Sequence, residues 1–160
     1  MPDIIGDGKE AWWWVASIAN INAPTVAEIN AGIRISQWMT KDGASGFAPE
    51  TADASTANIE STFDTNVNGR RSFSGPKVRL KKQSGTDTAY NTLLPDATGY
   101  LVRRKSLAAT TAVASTQPVQ VFPSMCGETA WLDVEDNMPE RYDVPIKITA
   151  TPSLRAVVAA

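Results

Sequence analysis

Tyr142-Asp-Val-Pro-Ile-Lys-Ile-Thr-Ala-Thr-Pro152 is the stretch from which the fold class is read. Val144, Ile146, Ile148 and Ala150 fall on one side of an extended chain, and Pro145, Lys147, Thr149 and Thr151 on the other. Successive side chains of a strand point to opposite faces, so the segment predicts a strand with one apolar and one polar face. Pro145 has no amide proton for a ladder, which predicts an edge or a bulge at that position. Upstream lie Gln117-Pro-Val-Gln-Val-Phe-Pro123 and an acidic connection from Gly127 to Glu140. Downstream, Leu154-Arg-Ala-Val-Val-Ala-Ala160 closes the chain.

The rest of the chain supports a mainly β reading. Ala11-Trp-Trp-Trp-Val-Ala-Ser-Ile-Ala19 predicts a strand with Trp12 and Trp14 on one side and Trp13 on the other. Three adjacent indoles cannot share one core, so at least one is expected to be exposed in an isolated monomer or covered by a partner. A terminal strand buried on both faces is the competing reading. Asn22 to Gly32 predicts a short helical turn, with Pro24 in its first turn and Gly32 at its exit. Ile33 to Trp38 alternates as a strand. Thr40 to Thr56, rich in Gly, Ala, Ser, Asp and Pro, shows no periodicity and predicts a long loop. Asn58 to Val67 predicts a strand with Ile59, Phe63 and Val67 as its apolar members, turning at Asn68-Gly69. Arg70–Phe73, Lys77–Gln83 and Tyr100–Lys105 read as extended. Gly85 to Pro95 predicts the one real helix, capped by Thr86 or Asp87, with Tyr90, Leu93 and Leu94 as its packing stripe. The sum is a single domain over 1–160: a β-sandwich or partly open barrel with one short flanking α-helix.

Composition removes several function classes. The 160 residues suffice for one domain with its own core. There is no histidine, so Ser-His and Cys-His nucleophile arrangements and the commonest metal ligand are missing. The lone Cys126 can form neither an intrachain disulfide nor a cysteine-rich zinc site. No Gly-rich phosphate loop opens a helix. Asp133, Glu135 and Asp136 lack the spacing of a calcium loop, and acidic loops are usually solvated. No leader-like segment and no apolar run long enough to span a bilayer is present, which predicts synthesis in the cytoplasm.

Charge is distributed unevenly. Arg70 to Lys105 holds nine of the fifteen basic residues and only two acids, giving that segment +7 and the remainder −9. Such a polar molecule suits head-to-tail association of copies, where complementary patches set register. A basic patch for nucleic acid would need stacking aromatics, and only Phe73 and Tyr100 are near.

The Trp-rich strand, Ala27-Glu-Ile-Asn-Ala-Gly32, the long loop, the basic strand, Gly99-Tyr-Leu-Val-Arg-Arg104, Val119-Gln-Val-Phe-Pro123 and the final Val144 to Ala160 together resemble tail tube (major tail) proteins of long-tailed bacteriophages. They look most like those of actinobacterial phages. The resemblance spans nearly the whole chain and rests on layout, since no single motif is diagnostic. It implies a virion protein, not an enzyme, with no cofactor and no membrane. Six subunits would form a ring, and rings would stack around a tape-measure protein, between tail terminator and baseplate or tip proteins. Double-stranded DNA would pass through without specific binding. The resemblance places residues 40–56, with Lys41, Asp42, Phe47, Glu50 and Asp53, at the contact between rings. It makes 1–10 and 153–160, with Arg155, terminal arms and gives Trp12, Trp13 and Trp14 a partner. Arg70, Arg71, Arg103 and Arg104 are the basic candidates for subunit contacts, and Asp133, Glu135 and Asp136 are the candidates for the acidic bore. Competing readings are a decoration or tail-terminator protein, and a carbohydrate-binding β-sandwich whose tryptophans stack on sugar.

Overall fold

A computed structural model describes all residues, 1–160. Eleven strands and two short helices follow one another as β1 (Glu10–Val15), α1 (Val26–Ala31), β2 (Ile33–Arg34), β3 (Met39–Ser45), β4 (Pro49–Ser55), β5 (Asn66–Phe73), β6 (Lys77–Lys81), α2 (Thr88–Thr92), β7 (Thr98–Lys105), β8 (Pro118–Cys126), β9 (Ala130–Trp131), β10 (Arg141–Ile148) and β11 (Ser153–Val157). Nine strands build one antiparallel sheet in the order β2-β1-β7-β8-β10-β6-β3. β11 is added beside β8 and β9 beside β10, while β4 and β5 form a separate two-stranded sheet.

The large sheet curls. Trp12 of β1, near one end of the strand order, packs its ring 4.9 Å from that of Phe47, which follows β3 at the other end. Phe122 of the central β8 lies 6.1 Å from Trp12 and 5.3 Å from Phe47. Strands at both ends therefore face one interior, as in a partly open barrel. That core also holds Trp14, Val78, Leu80, Leu101, Tyr142, Val144 and Ile146, with Ala89 from α2 and Leu93 from just after it. The alternation Val144, Ile146, Ile148 points inward as its period requires.

A second core lies on the back of β1, β7, β8 and β11. Trp13, Val15, Val102, Val119, Val121 and Ala156 meet Ile18 and Ile29 there, under α1. The three tryptophans thus alternate as the sequence predicts, yet each is at most 6% exposed. The expectation of an exposed indole is corrected: both faces of β1 are covered within the monomer. Gly99 makes this possible, because a Cβ there would sit 2.7 Å from the Trp14 ring. α1 is fixed by a capping box: Glu28 N–H donates to Thr25 Oγ1 (3.2 Å) and Thr25 N–H to Glu28 Oε2 (2.7 Å). Thr25 is its N-cap, so Pro24 stands outside the first turn.

Five further expectations change. Residues 40–56 are not a loop: they contain most of β3 and all of β4. Asn58–Val67 is not a strand, since β5 begins at Asn66 and Asn68-Gly69 lies inside it rather than at a turn. Residues 153–160 are not a free arm, because β11 pairs with β8 and Ala159 bridges Thr25. Pro145 lies on neither an edge nor a register shift. It marks the place where β10 exchanges its β6 ladder for β8, the changeover where a missing amide proton costs least. The helix expected at Gly85–Pro95 is the shorter α2, capped by Asp87, whose Oδ1 accepts from Tyr90 N–H at 3.0 Å.

Candidate assembly surfaces

The outward face of β6 and β10 is charged. Arg79 forks onto Asp143, with Nε to Oδ1 at 2.7 Å and Nη2 to Oδ2 at 3.1 Å. Lys77 adds a contact to Oδ2 at 3.2 Å. Nη1 of Arg79 reaches Asp42 of β3 at 3.0 Å, and Asp42 also accepts from Thr40 Oγ1. Burial alone would raise the Asp143 carboxyl, but the hydrogen bonds and charges of Arg79 and Lys77 outweigh it and hold it below the ordinary aspartate value. A depressed folded-state pKa gives stability that is complete above the unfolded value, about 4, and is lost as pH falls through the folded one. Asp143→Asn should therefore cost about 2–3 kcal/mol at pH 7, less than a fully buried pair because Arg79 keeps Asp42 and some solvent. It should also flatten the stability curve below pH 4. Urea melts from pH 2.5 to 7 check both, and a parallel curve for the variant would refute the assignment.

Four predicted contact residues meet on one projecting element. Glu50 and Asp53 on β4, and Arg70 and Arg71 on β5, are exposed along the β4–β5 hairpin. Its tip, 56–65, is closed by Thr56 N–H to Thr65 O at 2.8 Å and by an Asn58–Ser61 turn. At and beside the tip, Ile59 (103%) and Phe63 (78%) have little intrachain cover, and Val67 (55%) is more than half exposed. Sequence reasoning made these three the apolar members of a strand over Asn58–Val67. A signal for exposure was present: only Glu60, Ser61 and Thr62 separate Ile59 from Phe63.

Other predicted contacts turn inward. Trp12, Trp13, Trp14 and Phe47 are core residues, so none offers its ring to a neighbour. Arg103 lies over the Trp12 ring (5.2 Å) and donates to Glu10 Oε1 at 2.9 Å, which also accepts from Trp12 Nε1. Arg104 is fully buried against Trp13 and donates to Ala108 O, Thr111 O, Ala112 O and Gln117 Oε1. Its work is inside the subunit. The Cys126 thiol is buried in the first core, and burial pushes it up to about 12, far from a reactive thiolate.

The sheet curls, the β4–β5 hairpin stands apart from it, and no group of metal-ligating side chains is gathered. The family model described as phage tail tube protein matches residues 1–160. The chain belongs to the phage tail tube protein family. Its fold also matches a chain of the six-fold symmetrised cryo-EM structure of the anti-feeding prophage baseplate. The TM-score is 0.59 at 7% identity, over 94% of this chain and 93% of that one. A search of curated proteins finds no match. The protein is a structural component of a phage tail.

On this tail tube protein the remaining candidates lie apart from one another in the sequence. Lys41 is exposed on β3, and Arg155 is exposed on β11. Asp133, Glu135 and Asp136 are exposed in the connection between β9 and β10, where Glu135 is already paired with Arg141 at 3.0 Å. Sequence reasoning passed over Val134 (91% exposed) and Met138 (48%) in the same connection. No helix is long and apolar enough to cross a membrane.

Proposed function

We propose that six copies of this chain close into a ring, that rings stack into the tail tube, and that DNA passes along the bore during ejection. The observation that carries the reading is the β4–β5 hairpin. It adds no strand to the main sheet and exposes Ile59, Phe63 and Val67 at and beside its tip. Apolar side chains held away from the chain's own core are stabilised by burial against a neighbour. β3 at one end of the sheet and β11 beside β8 have strand partners on one side only, and a closed ring would protect such edges. The six-fold baseplate neighbour has the same fold in an assembled state, which favours six over other ring sizes. Tape-measure, terminator and baseplate or tip proteins complete the partners, and the assembled site is the virion. The carbohydrate-module reading loses its platform, because Trp12, Trp13 and Trp14 are buried.

Electron microscopy of the purified protein at rising concentration tests the proposal. Hollow tubes or six-fold rings are the expected result. A monomer at every concentration, in sedimentation as well as in micrographs, would overturn it.

A further inference from the structure

A groove of about 720 Å³ lies between the base of the β4–β5 hairpin and the end of β10. Its walls carry Phe73, Ile146, Ile148 and Leu154, and its charges are Arg71 and Lys147, both exposed, with no acid among the lining residues. At the other end of β10 the connection from Leu132 to Glu140 has the opposite character. It exposes Asp133, Asp136 and Glu140, none of which has a cation partner within the chain, beside the apolar Val134 and Met138.

We infer that this groove is a docking site for the Leu132–Glu140 connection of a second copy of the chain. The inference rests on the self-assembly reading and gives it a direction. β10 has eight residues and spans about 25 Å at ~3.3 Å per residue, so the two features lie at opposite ends of one strand. A molecule cannot satisfy its own groove across that length. A copy displaced along β10 brings acid to base and Val134 to the Phe73–Ile148 wall. The contact is heterologous, with a different patch on each partner, and it propagates from copy to copy as stacking requires. It also assigns Asp133 and Asp136 to a subunit contact rather than to the bore.

Charge reversal and its rescue test the pairing. Arg71→Glu with Lys147→Glu should raise the concentration needed for assembly at least about tenfold, because acid then faces acid. Asp133→Lys with Asp136→Lys should do the same. The chain carrying all four changes should assemble within about threefold of the original, since the complementarity is restored with inverted sign. All sites are exposed, so near-ultraviolet circular dichroism should report unchanged folding. In a second arm, Val134→Cys and Thr151→Cys chains are mixed under oxidation; a disulfide-linked pair should form in the mixture and not from either variant alone. Assembly of both reversed chains at the original concentration, failure of the four-change chain to recover, or no cross-link in the mixture would overturn the docking while tubes of the unaltered chain leave the tube reading standing. An unaltered chain that never assembles would overturn both.

Discussion

Replacing residues 56–65 by an Asn-Gly turn is expected to leave a folded subunit that no longer forms tubes. The removed segment contributes no residue to either core, and its hydrogen bonds stay within the hairpin. Changes to such surfaces usually shift stability by about 0.5 kcal/mol or less, so the melting temperature should move by no more than about 2 °C. Assembly should respond very differently. Burying a large apolar side chain is worth about 1.5–3 kcal/mol. Losing Ile59 and Phe63 together with the seat of Val67 should then remove on the order of 5 kcal/mol from each contact. At about 1.4 kcal/mol per decade, the assembly concentration rises by more than a thousandfold. Ile59→Asp and Phe63→Asp, made singly in the intact hairpin, should reproduce most of the loss without altering its length. Light scattering and electron microscopy read the assembly, and thermal melting reads the fold. Normal tubes from the shortened chain would remove the hairpin from the assembly contact.

The hairpin also shows where sequence reasoning stops. The central strands were legible because their side chains separate by face: Val144, Ile146 and Ile148 inward, Lys147 and Thr149 outward. β3 and β4 carry no such code. Met39-Thr-Lys-Asp-Gly-Ala-Ser45 and Pro49-Glu-Thr-Ala-Asp-Ala-Ser55 contain no β-branched aliphatic residue, and β4 is exposed along nearly its whole length. Their extension is set by backbone ladders to β6 and β5, which leave no mark on side-chain periodicity. The bulge in β3 between Met39 and Ala44 obscures the pattern further. Gly43 sits within it, where a Cβ would lie 2.7 Å from Thr40 O. The tryptophans failed in another way. Their alternation was read correctly, but whether a face is covered depends on α1 and the β7–β8 connection folding back from elsewhere in the chain. That long-range fact is absent from any local window.

Arg104 is the sharpest instance, and Arg104→Ala should be among the most destabilising single changes in the protein. Alternation along β7 turns Arg104 to the same side as Val102, into the second core, where a charge has no obvious place. The structure resolves this without a carboxylate. Nη2 donates to Thr111 O at 2.8 Å and Ala108 O at 3.0 Å; Nη1 donates to Gln117 Oε1 at 3.0 Å and Ala112 O at 3.4 Å. The guanidinium lies 5.1 Å from the centre of the Trp13 ring. Burial lowers its pKa, with the charge of Arg34 as the second cause, yet arginine titrates so high that the group stays protonated. The side chain is thus a fork that fixes the β7–β8 connection over the second core, and Arg34 Nη1 assists through Ala109 O at 3.3 Å. Truncation to alanine removes four donated bonds, empties volume beside Trp13 and frees the connection. Water can reach some of the released carbonyls, because Ala108, Thr111 and Ala112 are exposed, so the loss should be about 3–5 kcal/mol rather than the sum of four buried bonds. For a domain of this size that is a fall of roughly 10 °C or more in melting temperature. Arg104→Lys keeps the charge and loses the fork, and should recover less than half of the stability. Limited proteolysis should find new cleavage between Leu107 and Gln117 in both variants before global unfolding begins. A loss below about 1 kcal/mol for Arg104→Ala, with the connection still protected, would show that the second core closes without its arginine.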